Sequence, residues 1–371
     1  MSFNIQKFSR NSINEKKDID ELAKIIRDIN PDIIAIQEIL HPEVLKILLQ
    51  GIAQQFTRKI SESNECNVAR KSNRTGEIHG YTTTEWEGRW AKPISKYGDN
   101  ISEGYAFIWN KRKIKLVSNY DNSQVFEPRI ETFTRKTVLA RPPFIGRFTP
   151  INSRYEFRLI NTHIVFSKPS ALKDVNNDFY NPTISDIKLR IEELKALLDN
   201  IYTSWDKKRY DINHIDTNPK PLSHYTFLMG DYNLSNHQCN GIATNTDIIT
   251  VIDDKTTLKQ KPKNSNEHLT EETAFSEDYD HFSFGQSKYK EHNISLPEAR
   301  IADKNILFDR FDNNSDGASK YDKYRDSISD HLPILLTFDI KKPYTMSSNS
   351  INSFATFSNN ITEHFKEKSN G

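Results

Sequence analysis

Within its first forty or so residues the chain changes hydrophobic period twice, and no other stretch constrains the fold as much. Ser2-Phe3-Asn4-Ile5-Gln6-Lys7-Phe8 carries alternating apolar residues, the period-two pattern of a half-buried strand. A polar turn is expected from Asn11 to Glu15. Ile19, Leu22, Ile25, Ile26 and Ile29 then recur at helical spacing, and Asn30-Pro31 should stop that helix. Ile33-Ile34-Ala35-Ile36 is a short apolar run bounded by turn chemistry, which fits a buried strand, and it ends in Gln37-Glu38. Strand, helix, strand in this order predicts an α/β unit.

Further strands are predicted at Tyr105-Ala106-Phe107-Ile108-Trp109, with Ile114-Lys115-Leu116-Val117 as its hairpin partner, and at Tyr155 to His163, Tyr225 to Met229 and Ile334 to Phe338. Arg141-Pro142-Pro143-Phe144 begins another extended stretch. Ile187, Ile191, Leu194, Leu198 and Ile201 mark a second amphipathic helix. Between about Thr57 and Ile101 the sequence reads as a polar insertion. Arg58, Lys59, Arg70, Lys71, Arg74, Arg89, Lys92 and Lys96 are interleaved there with Tyr81, Trp86, Trp90 and Tyr97. One domain is expected over residues 1–342, followed by a Ser/Asn-rich, mobile tail over 343–371. At 371 residues the chain is long enough to bury roughly 75% of its unfolded surface.

Charge excludes one class of function. Lys and Arg number 51 against 50 Asp and Glu, a net charge of +1, so a strongly basic nucleic-acid coat protein is ruled out. A local basic face is not. No stretch reaches the roughly 20 apolar residues of a membrane span, and the first residues read as a strand rather than a secretory leader. Cys66 and Cys239, the two cysteines, lack metal-site spacing and are too few for a disulfide framework. Two free thiols fit a reducing compartment, so a cytoplasmic location is expected.

The polar residues fall at strand ends. Asn4 lies in one strand; others end at Glu38, at His163 and at Asp231-Tyr232-Asn233; Ser329-Asp330-His331 precedes the last. The crevice outside strand ends is where α/β folds place their sites. Glu38, Asp231 and Asp330 brought together would raise one another's pKa values, and a hard divalent cation such as Mg²⁺ relieves this. The two histidines suit general acid and base work at neutral pH. Each has a candidate orienting carboxylate: Glu103, just before a strand, and Asp280 in Asp278-Tyr279-Asp280-His281-Phe282.

In this order the pieces resemble the endonuclease/exonuclease/phosphatase superfamily, the deoxyribonuclease I-like fold. The resemblance rests on Phe3-Asn4-Ile5-Gln6 with Phe8, Pro31 to Glu38, Asn161-Thr162-His163, Gly230-Asp231-Tyr232-Asn233 and Ser329-Asp330-His331-Leu332-Pro333, and extends from residue 3 to about 338. It implies a four-layer α/β sandwich, two mixed β-sheets packed face to face with helices outside. It also implies roles. Glu38 would bind Mg²⁺, for which Mn²⁺ substitutes, with Asn4 nearby and Asp330 as an additional ligand. Asp231 and Asn233 would position water and phosphate. His331, oriented by Asp280, and His163, oriented by Glu103, would form the histidine pair, and Arg141 would contact phosphate. The implied reaction is in-line attack of water on a phosphorus ester.

The departures bear on substrate. Where the deoxyribonuclease I branch reads a duplex minor groove with a basic residue and a Tyr, this chain has Leu40 and Ile101. The inositol-phosphatase branch's Asn-Tyr-Arg is Asn233-Leu234-Ser235 here, and the acidic residue of the abasic-site branch is Gln6. The leading expectation is therefore a metal-dependent DNA endonuclease. The alternative is a phosphatase or phosphodiesterase for a phosphoinositide, sphingomyelin or another small phosphate ester, with Trp86 and Trp90 turned toward a membrane. A non-enzymatic binding module is the third reading, disfavoured because every catalytic position is filled.

Overall fold

The structure, a computed structural model, describes residues 1–56, 70–72, 76–93, 103–117, 129–130, 139–153, 155–167, 184–208, 223–260, 269–292, 294–311 and 318–339. The chain divides into two compact units, Met1–Phe338 and Asp339–Gly371, and all the described elements belong to the first. Its strands are β1 (Ser2–Phe8), β2 (Ile33–Ile39), β3 (Arg70–Ser72), β4 (Gly76–Thr82), β5 (Trp86–Lys92), β6 (Gly104–Asn110), β7 (Ile114–Leu116), β8 (Arg129–Ile130), β9 (Phe144–Pro150), β10 (Tyr155–His163), β11 (Ser223–Asp231), β12 (Ile248–Val251), β13 (Asp280–Gly285), β14 (Glu298–Ile301) and β15 (Ile334–Thr337). The helices that matter most to the site are α1 (Arg10–Glu15), α2 (Ile19–Ile29), α3 (Pro42–Phe56) and α4 (Asp186–Ala196).

Two mixed sheets result. One runs β14-β15-β1-β2-β6-β5-β4-β3; the other runs β12-β13-β11-β10-β9-β7, with β8 also on β9. In the first, β1 and β2 are parallel, and β15 returns from the far end of the chain to pair antiparallel with β1. In the second, β10 and β11 are parallel through nine residue pairs, from Tyr155 opposite Ser223 to His163 opposite Asp231. The helices cover the outer faces. Leu22, Ile25 and Ile26 of α2 and Val44, Leu45, Leu48 and Ile52 of α3 pack on the first sheet, while Leu194 of α4 packs on the second with Leu197, Leu198 and Ile201 beyond it. Between the sheets, Phe107 of β6 stacks on Phe144 of β9 at 5.1 Å between centroids, and Phe148 of β9 meets the edge of Trp109 at 5.3 Å. The α/β four-layer sandwich expected from sequence is the observed fold.

Local chemistry explains several boundaries. Asp18 caps α2 by accepting from the Glu21 N–H, and Asn30 closes it in the left-handed conformation at φ 51°. The segment expected as a polar turn at Asn11 to Glu15 is instead the helix α1. Ser9 and Ser12 form a reciprocal capping box there, and no apolar periodicity announces it. The second amphipathic helix runs on past α4 as a π-helix over Leu197–Tyr202, and Ile187, expected on its apolar face, is 37% exposed.

The insertion read between 57 and 101 carries β3, β4 and β5, which widen the first sheet. Trp86 and Trp90 are 0% and 1% exposed, and the Trp90 indole N–H donates to the Ile39 carbonyl at 2.9 Å. The expectation that they face a membrane is thus corrected: on β5 they alternate inward, onto the cluster that α3 covers. Residues 57–69, 73–75 and 94–102, with Cys66 and Ile101, lie outside the described residues, as does the tail read at 343–371.

Candidate active site

The site begins with two irregular strands lying side by side. Register breaks on β1 between Asn4 and Phe8, and on β2 between Ile36 and Ile39. Gln6, Lys7 and Glu38 take positive φ values of 34°, 47° and 62° there. Bulges of this kind re-aim side chains, and left-handed non-glycine residues are retained where surroundings impose them. The Lys7 N–H donates to Glu38 Oε2 at 2.8 Å, and the Asn4 amide donates to Glu38 Oε1 at 3.0 Å and to Asp231 Oδ2 at 3.1 Å. The buried Asn4 side chain therefore links the two sheets.

Parallel pairing of β10 and β11 brings the next pair. His163 ends one strand directly opposite Asp231 at the end of the other. Gly230 has φ 141°, and a Cβ there would fall 1.9 Å from the Thr162 carbonyl oxygen, so only glycine permits this register. His163 Nδ1 lies 2.9 Å from Glu103 Oε2, which is also 2.9 Å from Arg141 Nη2. The His163 backbone N–H donates to the Tyr105 hydroxyl at 3.2 Å. After Asp231 the turn is closed by the Asn233 N–H on Asp231 Oδ1 at 2.9 Å, while the Asn233 amide donates one N–H to the Ile164 carbonyl at 2.8 Å.

The last pieces come from β13 and the turn before β15. Asp280 pairs in register with Asp231, and its Oδ2 lies 2.8 Å from His331 Nδ1. The Thr256 hydroxyl donates to the same oxygen at 2.7 Å. Ser329 fixes the turn, donating through Oγ to the Asn4 carbonyl at 2.7 Å and accepting the His331 N–H at 3.1 Å. Gln6 donates to Asp330 Oδ2 at 2.6 Å.

The result is convergent. His163 Nε2 and His331 Nε2 stand 3.5 Å and 3.6 Å from the same oxygen, Asp231 Oδ2, and each ring has a carboxylate behind it. Electrostatics follow from this crowding. Burial raises the Asp231 carboxyl; the two imidazoles pull it back and Asp280 adds to the rise, leaving it above its ordinary 3.8. Burial opposes a charged imidazole at His331, but Asp280, Asp231 and Asp330 outweigh it and raise its pKa well above 6.5. Burial alone would raise Glu103; the His163 imidazole, with Arg141 and Lys7, holds it instead at about 2. Crowding thus raises one carboxyl and one imidazole and lowers a second carboxyl, the kind of spread in proton affinity that acid–base sites use.

All the residues singled out in the sequence lie on this network. Asn4, Glu38, His163, Asp231 and His331 meet directly; Glu103, Asp280 and Asn233 support them; Asp330 joins through Gln6 and Arg141 through Glu103. Donor atoms of Glu38, Glu103 and His163 all lie within 4.8 Å of one another, an arrangement able to hold a metal ion. His163 Nδ1 engages Glu103 Oε2, whereas Asp330 Oδ1 is buried with no hydrogen-bond partner among the described residues and lies 4.0 Å from His331 Nε2. The two Glu38 oxygens accept from the Asn4 amide and the Lys7 N–H, and Asn4 Oδ1 accepts the Gln6 N–H at 3.0 Å. Sequence reading missed Thr256, Tyr105, Gln6, Arg190 and Glu193. The last two lie on α4: Arg190 donates to the Asn233 carbonyl at 2.9 Å, and Glu193 accepts the Ala140 N–H at 3.0 Å. An Arg and a Glu three apart on a helix look like a solvated face, and only the tertiary fold turns them inward.

A model described as the Endonuclease/Exonuclease/phosphatase family matches residues 1–238. No curated protein sequence matches the chain. Among solved structures, an endonuclease/exonuclease/phosphatase from Bacteroides vulgatus is similar at 12% identity and a TM-score of 0.45, over 92% of this chain and 97% of that one. A family protein from Leptotrichia buccalis C-1013-b gives 14% and 0.44, over 91% and 98%. Truncated Caenorhabditis elegans TDP2 gives 13% and 0.42, over 91% and 96%.

Proposed function

The chain belongs to the endonuclease/exonuclease/phosphatase family, and from that premise we propose that it is a divalent-metal-dependent phosphodiester hydrolase acting on DNA as an endonuclease. One observation carries the reading: two carboxylate-backed imidazoles aim their Nε2 atoms at a single buried oxygen of Asp231. Glu38, with Asn4 and Asp330, would hold the ion, which supplies positive charge against the oxygens that gain negative charge during phosphoryl transfer.

The chain's own groups do the rest. Asp231, its proton affinity raised, holds the attacking water and takes its proton as the water oxygen bonds phosphorus and the ester P–O bond breaks. His331, kept protonated by Asp280, donates to a phosphoryl oxygen or to the departing ester oxygen. His163 is held in place by Glu103, and the second N–H of the Asn233 amide remains for the phosphate. Arg141, paired with Glu103 through Nη2, has buried Nε and Nη1 atoms with no hydrogen-bond partner among the described residues, suited to an anion.

DNA is favoured over a lipid headgroup because the first strand resembles that of the deoxyribonuclease I branch, while the tryptophans needed for a membrane face are buried. The test is a screen of plasmid, single-stranded DNA, RNA and phospholipid with Mg²⁺ or Mn²⁺, with His163→Ala as the blank. DNA cleavage that needs the metal and falls steeply with salt is expected. Release of phosphate or a headgroup from lipid, with nucleic acid untouched, would replace this reading by the alternative. His331→Ala and Asp231→Ala should each lose about 10²-fold or more in turnover. Wild-type rates in both folded variants would remove the site assignment.

A further inference from the structure

Three residues beyond His163 the chain presents an aromatic ring to solvent. Phe166 is 55% exposed, the largest exposure among the big apolar side chains described. A single exposed apolar residue is ordinary, but this one is held in place from behind. The Arg190 guanidinium lies over its ring at 4.1 Å from the centroid, and Arg190 Nε donates to the Phe166 carbonyl at 2.7 Å. Arg190 is itself only 9% exposed, and its Nη1 donates to the Asn233 carbonyl at 2.9 Å. The backbone leading to the ring is pinned as well: the Ile164 N–H donates to the Asp231 carbonyl at 2.9 Å, and the Ile164 carbonyl accepts the Asn233 amide at 2.8 Å. Tyr279, the residue before Asp280, places its ring 6.5 Å from that of Phe166, and its carbonyl accepts the Tyr232 N–H at 2.8 Å.

One face of the Phe166 ring is thus taken by a cation, and that cation is tied to the turn that carries Asp231. Three extended residues span at most roughly 10 Å, so the ring stands within a few nucleotide steps of the reacting phosphate. Resting on the nuclease reading above, we propose that Phe166 is a stacking shelf for a nucleobase adjoining the scissile phosphate of a single-stranded DNA segment, with Arg190 and Tyr279 fixing its plane. Aromatic rings bind unpaired bases through their faces with little regard to sequence. A base inside a duplex offers no free face, so the shelf suits an unpaired strand.

The test compares a labelled single-stranded DNA with an equally long strand whose bases are all replaced by tetrahydrofuran abasic units. The wild-type protein should prefer the base-bearing strand in kcat/KM. In Phe166→Ala that preference should shrink about tenfold, mainly through KM. Phe166→Trp should restore it and Phe166→Leu should not. A Phe166→Ala protein that loses activity equally on both strands, or on neither, overturns the shelf while leaving the nuclease reading intact. A wild-type protein that cleaves neither strand overturns the shelf, and one that leaves plasmid DNA intact as well overturns the nuclease reading too.

Discussion

At Glu103 a single carboxylate is shared between an imidazole and a guanidinium, and that sharing sets how the protein responds to acid. Its pKa in the folded chain is about 2, against an ordinary 4.5. The folded state therefore binds this proton less readily than the unfolded chain does. The stabilisation is fully present above pH 4.5 and is lost as pH falls through about 2. Glu103→Gln should flatten the acid limb of a melting-temperature profile over that window, and calorimetry at stepped pH measures it. At His331 the sign reverses: a raised pKa gives stability that is present below the unfolded value and lost as pH climbs through the folded one. Asp280→Asn removes the leading source of that rise, so the basic limb of the pH–rate curve should move to lower pH.

Elements make the residues possible. β10 and β11 can run parallel to their last pair only because Gly230 lets the Thr162 carbonyl approach, so Gly230→Ala should destabilise by at least ~3 kcal/mol in urea titration. On β10, Glu156 accepts from Arg147 Nε at 2.8 Å and from Arg158 Nε at 2.7 Å, all three side chains being buried. Glu156→Gln removes the charge both guanidiniums share and should cost about 3–5 kcal/mol. That cluster also shows where sequence reading stops. The Tyr155–His163 strand was legible because Phe157, Leu159 and His163 alternate along it, yet the same alternation would send Glu156 and Arg158 to water, where the structure instead buries them. Glu38, His163 and Asp231 were legible because each ends an apolar run. Thr256, Arg190 and Glu193 were not, because they sit in a loop or on a helix with no periodic partner, and only long-range packing gives them work. Trp86 and Trp90 misled for a related reason: the surrounding charges are on the other face of β5.

For the molecule as a whole, the described fold closes at Phe338, whose ring meets Tyr225 at 4.9 Å and Phe157 at 5.2 Å. A chain ending at Asp339 should keep the melting temperature and the turnover of the full chain, whereas one ending at Leu332 should fail to fold cooperatively. Differential scanning fluorimetry and the nuclease assay separate the two. The second sheet is complete by β13, and the first is not until β15 slots beside β1. His331 arrives only in the turn before that closing strand, more than three hundred residues after Asn4. During translation Asn4, Glu38, His163, Asp231 and Asp280 therefore all emerge before His331. On the reading proposed above, turnover needs that imidazole, so a stalled or prematurely terminated product would be inert.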